Sequence, residues 1–496
     1  MSGMQTLNIR VERARFNGFA DGGAVSSGAI GYRRSIVKLG LMLLMLASSV
    51  QAVPAWASMA SLFETDYRNQ QVLEVEAAMA IAQAEFGIIP SEAAREIKRK
   101  ADIRYAPAGA ISEEFKIVRH RMVALLNVWG ESMDGDAAQY VHFGATTVDI
   151  YDTVLVLQLR AATKLLLTHL YDLEEALLLQ ADAHKNTVMM GRTLGQHALP
   201  ITFGKKVSVW LGENRRNIER LKRVETDLDR SGILKGAVGS YLGLGDKAVE
   251  VEQAFAQQLG LAVPYASDWH GTRDVFADYS QVLALISKSL GRIGTELFLL
   301  QMTDINETVE YRINTAVGSS TMPHKNNPSK SEALMQHSRS IPRLSEVILD
   351  DVQNYFERDN TSRPNRVLAD ISIESEQMLL TATLLVRQLI VNEGVMLANI
   401  NKTRGLMLSQ RLAFALAASL GKKEANDRMH DVAKRALARQ ETLREAFLAS
   451  DLAALLDEAQ LDALLEPTTY IGLAAQQTEI VINQIRAQRR KEGLET

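Results

Sequence analysis

The stretch DTVLVLQLRAATKLLLTHLYDLEEALLLQADAH, residues 152–184, decides the fold class. Its apolar residues recur at spacings of three and four, which is the pattern of an α-helix with one buried face. A helix of about thirty residues is too long to bury its apolar stripe within one compact globule, so it packs into a bundle, often with helices of partner subunits. The stretch therefore predicts a bundle of long helices.

The same periodicity returns in four further stretches: residues 61–90, 113–129, 278–311 and 372–397. We find no fixed-period repeat and no low-complexity tract between them. Because every strongly patterned segment has the helical period, the sequence predicts an all-α protein built around a central long-helix bundle.

Composition limits the classes of function. The chain has 496 residues, 55 Lys+Arg against 59 Asp+Glu, a net charge of -4, and no basic block that would track nucleic acid. It contains no cysteine, which excludes a disulfide framework, a thiolate metal site and a thiol nucleophile. Histidines and carboxylates do not cluster at ligand spacing, so we expect neither a metal nor another cofactor, and no nucleic-acid partner.

Residues 1–57 have the layout of an export signal and are excluded from the fold. Arg33 and Arg34 precede an apolar run from Leu39 to Ala47, in a pattern that resembles a twin-arginine signal. The run is far shorter than the ~20 residues of a membrane span, so no stable membrane association is expected. The layout predicts a periplasmic or otherwise exported protein.

Polar segments interrupt the long helices: VHFGATTVD (141–149), GRTLGQHALP (191–200), LAVPYASDWHGTRDV (261–275), VGSSTMPHKNNPSKSEA (317–333) and FERDNTSRPNR (356–366). Three of these segments offer hydrogen-bond donors suited to carboxylates: Thr146 and Thr147 in the first, Arg192, Thr193, Gln196 and His197 in the second, and Ser319, Ser320, Lys325 and Asn327 in the fourth. Taken singly, each has an ordinary structural explanation, because threonine caps helices, lysine is usually solvated and GSS is usually a loop. The segments therefore acquire a functional interpretation only as a set.

As a set, they resemble the fumarase/aspartase superfamily. Its signature is glycine, two serines, any residue, Met-Pro, any residue, Lys, any residue, Asn, and Gly318 to Asn327 match it at every fixed position. SSTMPHKNNP together with GATTVDIYDT is similar to the branch that contains adenylosuccinate lyase and 3-carboxy-cis,cis-muconate cycloisomerase. The resemblance extends from about Ser61 to Tyr470.

The resemblance implies a homotetramer of three-domain helical chains, with a 20-helix core and active sites that each combine segments of three subunits. The corresponding divisions of this chain are a signal-like segment at 1–57, an N-terminal helical domain at 58–165, the central bundle with the signature loop at 166–400, and a C-terminal helical domain at 401–496. Helices interrupted by polar loops are expected from such a shared site.

The reaction implied by the resemblance removes a proton beside a carboxylate and expels an amine from the neighbouring carbon, which releases fumarate. Fixed donors must hold the charge that develops on the carboxylate. By the resemblance, Ser319 is the base, acting as an alkoxide, and Lys325 and Asn327 hold the substrate carboxylate. Thr146 and Thr147 bind the fumarate end from a second subunit. Closure of the signature loop would exclude water from the reacting carbon.

The histidines of these segments bear on which reaction the chain catalyses. His120 and His142 match two histidines of the adenylosuccinate lyases and are candidate catalytic residues by that resemblance. Leu194, however, stands where those lyases have the histidine that protonates the leaving amine. Leucine donates no proton. His197, three residues further on, is the remaining candidate for the acid, although its position is equally compatible with a structural role. The identity of the acid therefore stays open.

Further candidate substrate-binding residues in these segments are Arg192, Thr193, Gln196, Ser320, Arg358 and Arg366. The Arg-Tyr pair that adenylosuccinate lyases use near the nucleotide phosphate is not evident, and FERDNTSRPNR is one residue shorter than the family spacing. We therefore expect a small dicarboxylate or succinyl-type substrate. Three hypotheses follow: a lyase that releases fumarate or a related unsaturated acid, a cycloisomerase that closes a carboxymuconate to a lactone, and an inactive scaffold that has lost the acid.

The signal layout leads to a testable prediction. Two small-x-small sites end at Ala52 and Ala57, so we expect the mature chain to begin directly after one of them. Mass measurement of the mature N-terminus checks this. A protein that begins at Met1 or Ser2 would contradict export, and one that begins near Met59 would indicate an internal start of translation and a cytoplasmic enzyme.

Overall fold

The computed structural model describes residues 58–312, 321–322, 324–361 and 364–495, all within one compact unit. The all-α prediction is confirmed. The helices are α1 (Thr65–Glu85), α2 (Ser91–Arg99), α3 (Ala108–Val118), α4 (Arg121–Gly130), α5 (Thr147–Ala183), α6 (Phe203–Leu228), α7 (Ala248–Gln258), α8 (Asp274–Leu300), α9 (Ser329–Asp350), α10 (Pro364–Arg387), α11 (Glu393–Asn401), α12 (Ser409–Leu420), α13 (Lys422–Arg439), α14 (Leu443–Leu448), α15 (Glu458–Leu464) and α16 (Ala474–Lys491). Two short antiparallel pairs accompany them: β1 (Val188–Thr193) with β2 (Gln196–Thr202), and β3 (Thr308–Glu310) with β4 (Leu389–Val391).

Helix α5 is the longest of these elements, with 37 residues. It begins where the Asp149 carboxylate accepts a hydrogen bond of 3.0 Å from the backbone N–H of Thr146, which satisfies one of the donors left over at a helix start. Leu166, Leu170 and Leu173 are fully buried along one of its faces. The predicted long helix is therefore present, and α5 runs without a break through the domain boundary predicted at 165/166, which stays a prediction.

Helices α5, α6, α8, α9 and α10 pack together as a bundle. Side-chain contacts fix their directions. Lys206 of α6 contacts Glu296 of α8 at 2.5 Å, and Asn217 contacts Ser289 at 2.9 Å, so residue numbers rise along α6 while they fall along α8. These two helices are therefore antiparallel.

Helices α8 and α9 are antiparallel as well. Ser280 contacts Ser345 at 3.1 Å near one end, and Gln301 donates to Ser331 at 3.3 Å at the other. Between these contacts the helices approach closely at Gly291, where a Cβ would lie 2.3 Å from the Cβ of Ser338. A larger residue at this position would push the two helices apart.

The antiparallel arrangement gives the bundle two distinct ends. The starts of α5 and α8 lie together at one end, because Asp152 and Arg273 form an ion pair of 3.0 Å there. At the other end the β1–β2 hairpin meets the segment after α8, through an ion pair of 2.5 Å between Arg192 and Glu307. Since α8 has 27 residues, the ends are separated by ~40 Å.

The C-terminal helix α16 is held against the bundle by buried charges. Glu174 of α5 is fully buried and accepts from Arg215 Nε at 2.7 Å and from Arg489 Nη1 at 3.2 Å. A buried carboxylate is tolerated because two guanidinium groups pair with it. A second apolar cluster, formed within α12 to α15, includes the buried residues Leu412 and Phe447.

None of the helices in the described ranges is long and apolar enough to cross a membrane. The signal-like segment predicted at residues 1–57 lies outside the residues that the structure describes, so its role stays a prediction.

Candidate active site

The predicted site residues that the structure describes fall at the two ends of the bundle. At one end Thr147, Arg358 and Arg366 line a common cleft of about 850 Å³. At the other end, Arg192 and His197 belong to the β1–β2 hairpin, and the signature segment that contains Lys325 leads into α9. We call these two places the arginine cleft and the hairpin end.

Five guanidinium groups of the described residues lie on the wall of the arginine cleft and give it its name. They belong to Arg68, Arg121, Arg273, Arg358 and Arg366. The carboxylates in the same wall are those of Asp152 and Asp359, so positive charge is in excess. A concave site with an excess of cationic donors beside a threonine is suited to a ligand that carries several carboxylates.

A buried cluster at the base of the cleft was not identified from the sequence. The Asp152 carboxylate lies 2.5 Å from His270 Nδ1 and accepts from both Nη atoms of Arg273, at 3.0 and 3.3 Å. His270 and Arg273 occur in the segment WHGTRD, which the sequence analysis recorded only as an interruption between helices. An Arg-Asp dipeptide after a histidine was the available signal, but its partner Asp152 lies more than a hundred residues away in the chain.

Thr146 and Thr147 open α5 beside the cleft. Thr147 lines the cavity, whereas the backbone of Thr146 serves as the helix N-cap. The Asp149 carboxylate also accepts from the backbone N–H groups of Lys235 at 3.1 Å and Gly236 at 2.9 Å. Burial raises the pKa of Asp149, although these backbone donors oppose the change. The carboxylate thereby fastens the 235–236 segment to the start of α5.

The two upstream histidines have different surroundings. His120 is the exposed N-cap of α4, where its Nδ1 accepts from the Val123 N–H at 3.3 Å. His142 is half-buried, and its Nδ1 lies 2.6 Å from a carboxylate oxygen of the buried Glu76. Burial acts to lower the pKa of His142, but the hydrogen bond and charge of Glu76 outweigh it, so the pKa is raised. His142 therefore carries more positive charge near neutral pH than an ordinary histidine.

At the hairpin end, Arg192 is paired within the chain. Its Nη1 donates to Glu307 at 2.9 Å and its Nη2 at 2.5 Å, and Glu307 is completely buried. Asn399 donates a further hydrogen bond of 2.8 Å to the same carboxylate. In this structure Arg192 thus holds the hairpin against the rest of the chain rather than presenting a free guanidinium to a ligand.

Leu194, the residue at which the sequence departs from the lyase pattern, lies at the tip of the β1–β2 hairpin. Thr193 pairs with Gln196, so Leu194 and Gly195 form a two-residue turn with φ values of 52° and 76°. Both values are positive, as this kind of hairpin turn requires, and leucine adopts such a conformation uncommonly. The Leu194 side chain is completely exposed within the single chain.

His197 follows on the second strand of the hairpin and is half-buried. Burial lowers its pKa, and the charges of Arg192 and Lys402 lower it further against the opposing charge of Glu307. At pH 7 the ring is therefore mainly neutral. A neutral imidazole is a far weaker proton donor than an imidazolium ion.

The signature segment is described in part. Ser319 and Ser320 lie outside the described residues, whereas Lys325 and Asn327 are exposed. The segment is anchored by Glu310, which is buried and accepts from the backbone N–H of Ser331 at 2.8 Å. The start of α9 thus has a fixed position at the hairpin end.

Three comparisons with known proteins bear on this arrangement. The family model described as "Lyase" matches residues 49–342, and the model described as "Adenylosuccinate lyase C-terminus" matches residues 405–481. The first match alone covers more than half of the chain. The chain belongs to the fumarase/aspartase superfamily. It is an enzyme with lyase or cycloisomerase activity, as the signature between Gly318 and Asn327 predicts.

Relatives within this superfamily have different names. The chain is 35% identical over 433 residues to the adenylosuccinate lyase of Methanocaldococcus jannaschii, covering 86% of this chain and 94% of that protein. It is likewise 35% identical to the N-acetyl-S-(2-succino)cysteine lyase of Enterococcus italicus, with the same coverage of the two chains. The crystal structure of the 3-carboxy-cis,cis-muconate lactonizing enzyme from Pseudomonas putida superposes with a TM-score of 0.79 at 31% identity, covering 86% of this chain and 97% of that one.

The pair of Glu76 and His142 leads to a prediction for pH dependence. Because the pKa of folded His142 is raised, the pair stabilises the protein fully below pH ~6.5, and this contribution is lost as the pH rises through the raised pKa. We expect Glu76→Gln to lower the free energy of unfolding by about 1–2 kcal/mol at pH 6 and by less at pH 9.

Chemical denaturation at several pH values measures this difference. His430→Gln, at an exposed position of α13, serves as the control and should change stability little at any pH. A loss in Glu76→Gln that stays constant from pH 6 to pH 9 would show that the charge of His142 is not involved.

Proposed function

We propose that this enzyme eliminates a leaving group from a succinyl-type substrate and releases fumarate or a closely related unsaturated acid. The excess of guanidinium groups beside Thr147 supports a substrate with several carboxylates. The export-type layout of residues 1–57 supports a small dicarboxylate over a phosphorylated cytoplasmic metabolite.

The chemistry divides between the two ends of the bundle. Ser319 of the signature loop takes the proton beside the substrate carboxylate, with Lys325 and Asn327 holding that carboxylate as negative charge develops on it. Thr147 and the guanidinium groups of the arginine cleft bind the fumarate half. Fixed donors of this kind lower the barrier because they need no reorganisation when the charge forms.

The leaving group departs as a stabilised anion, such as a thiolate. The observation that carries this is at the hairpin, where Leu194 occupies the place of the acid histidine. Burial and the charges of Arg192 and Lys402 also lower the pKa of His197, which makes its imidazolium form less available as a proton donor. A thiol has a pKa of about 8.5, so a thiolate leaves without a proton, whereas an amine anion does not. The 35% identity to an enzyme named N-acetyl-S-(2-succino)cysteine lyase supports this choice.

Each active site combines the arginine cleft of one chain with the hairpin end of another. The rigid α8 keeps the two ends of one chain ~40 Å apart, which is too far for a small substrate to reach both. The long helices also expose apolar side chains that another copy would cover: Leu285 is 46% exposed, Val347 51% and Leu380 49%. Four copies of the five-helix bundle give a homotetramer with a 20-helix core.

The alternative function is closure of a carboxymuconate to a lactone. It is supported by the similarity to the lactonizing enzyme of Pseudomonas putida and by the missing acid histidine, since that reaction needs no proton on a leaving group. Ultraviolet absorbance separates the two, because elimination creates a conjugated double bond whereas lactone formation removes one.

The reverse reaction tests the leaving group. We expect the enzyme to add thiols to fumarate, with the adduct detected by mass, and to add amines much more slowly. Ser319→Ala should abolish enzymatic addition and so also reports the spontaneous background. Leu194→His should raise amine addition by about 10²-fold or more, because the histidine that would protonate the departing amine in elimination accepts the proton of the attacking amine in the addition direction.

Leu199→His, in the same hairpin, is the matched control and should leave the amine rate unchanged. A preference of the wild-type enzyme for amines would contradict the proposed leaving group. If the wild-type enzyme prefers amines and His197→Asn removes that activity, His197 is the acid and the leaving group needs a proton. Loss of thermal stability alone in His197→Asn would mark this histidine as structural.

Mixing of two inactive variants tests the composite site. Arg358→Glu disables the arginine cleft and Ser319→Ala disables the signature loop. When equal amounts are refolded together, about a quarter of the sites should combine a normal cleft with a normal loop and regain activity. Ser319→Ala mixed with Lys325→Ala is the control, because both changes lie in one segment and no site is restored. Equal activity in both mixtures would contradict a site shared between chains.

A further inference from the structure

A side pocket of about 410 Å³ opens beside the arginine cleft. Arg68, Arg121 and Tyr151 line both cavities, so the pocket and the cleft adjoin each other. Arg68 belongs to α1, Arg121 to α4 and Tyr151 to α5. Three separate helices therefore converge at the passage between the two spaces.

Within the part of the chain that the structure describes, the two arginines at this passage have no carboxylate partner. In residues 58–312, 321–322, 324–361 and 364–495, neither Arg68 nor Arg121 forms an ion pair with an aspartate or glutamate. The Nε atom of Arg68 is buried and lacks a hydrogen-bond acceptor within the same residues. Burying such a donor without a partner costs free energy, which an incoming anion would recover.

Arg273 differs from Arg68 and Arg121 in its ion pairing, although its Nε atom also lacks a hydrogen-bond acceptor within the described residues. Arg273 lines the same cleft, but the Asp152 carboxylate accepts from both of its Nη atoms. A guanidinium paired in this way is already neutralised and serves to hold the wall of the cleft. Arg68 and Arg121 retain their donors for a ligand.

The charges of Arg68 and Arg121 both affect the pKa of Tyr151, which lies at the passage. Burial raises the pKa of its phenol, and the charges of Arg68 and Arg121 oppose that rise. Both guanidinium groups therefore act on one side chain, and both lie on the walls of the pocket and the cleft.

The rest of the side pocket is partly apolar. Ile111 and Phe115 of α3 and the buried Leu125 of α4 line it. Helix α3 contributes no fully buried residue of its own, so its contact with the body of the protein is light. The pocket can therefore accommodate a group of some size that has an apolar part and a charged end.

We propose that the side pocket binds the departing half of the substrate, and that this half carries its own oxyanion, a carboxylate or a phosphate, held by Arg68 and Arg121. This assignment rests on the proposed elimination from a succinyl-type substrate, whose fumarate half occupies the adjoining cleft at Thr147. The substrate then bears at least three negative charges, two on the succinyl part and one on the part that leaves.

Binding measurements test this without depending on turnover. Calorimetry on the full-length protein compares N-acetylcysteine with N-acetylcysteinamide, which lacks the carboxylate, and adenosine monophosphate with adenosine, which lacks the phosphate. We expect the anionic member of one pair to bind at least about tenfold more tightly than its neutral counterpart. The pair that discriminates identifies the oxyanion as a carboxylate or a phosphate.

Two substitutions test whether Arg68 and Arg121 cause the preference for the anionic compound. Arg121→Gln and Arg68→Gln should each reduce the preference to less than about threefold. Since Arg121 is exposed, its substitution should leave folding intact. The control is Arg95→Gln, at an arginine of α2 whose side chain is 70% exposed, and it should retain the full preference.

The proposal is overturned if neither pair discriminates, or if the preference survives in both variants. Failure of the proposed elimination has a different signature, because no thiol or amine would then add to fumarate even where the anionic compound binds tightly. The two ideas are thus tested separately.

Discussion

The length of the central helices is the constraint on which the rest of this structure depends. Helix α5 has 37 residues and α8 has 27, and each is packed along most of its length by buried apolar side chains. The candidate site residues that the structure describes lie accordingly at the connections at the ends of the bundle. Because these ends are ~40 Å apart, the polar segments of one chain form two separate groups.

Each end is organised by buried carboxylates that join distant parts of the chain. At the arginine cleft Asp149 holds the 235–236 segment, and Asp152 holds His270 and Arg273. At the hairpin end Glu307 performs the same task for Arg192. A buried carboxylate without partners destabilises the fold, but each of these carboxylates accepts hydrogen bonds from several donors. Loss of any one donor would leave part of the buried negative charge uncompensated.

This arrangement separates arginines that are paired with carboxylates from arginines that have no carboxylate partner within the described residues. Arg192 and Arg273 are neutralised by partners within the chain, whereas Arg68 and Arg121 lack such partners in the described ranges. The distinction matters because motif matching treats all arginines of a segment alike. It assigned Arg192 to the substrate, while the geometry ties it to Glu307 and directs attention to residues that no motif contains.

The sequence by itself determined the class of fold, the long helices and the superfamily. Helical periodicity and the ten-residue signature are local patterns, legible over neighbouring positions, and both were confirmed. Only the tertiary structure brought Arg68 and Arg121 to one passage, or paired Asp152 with Arg273. These residues lie tens to more than a hundred positions apart, and their meeting depends on how helices α1, α4, α5 and α8 pack, which no local pattern encodes.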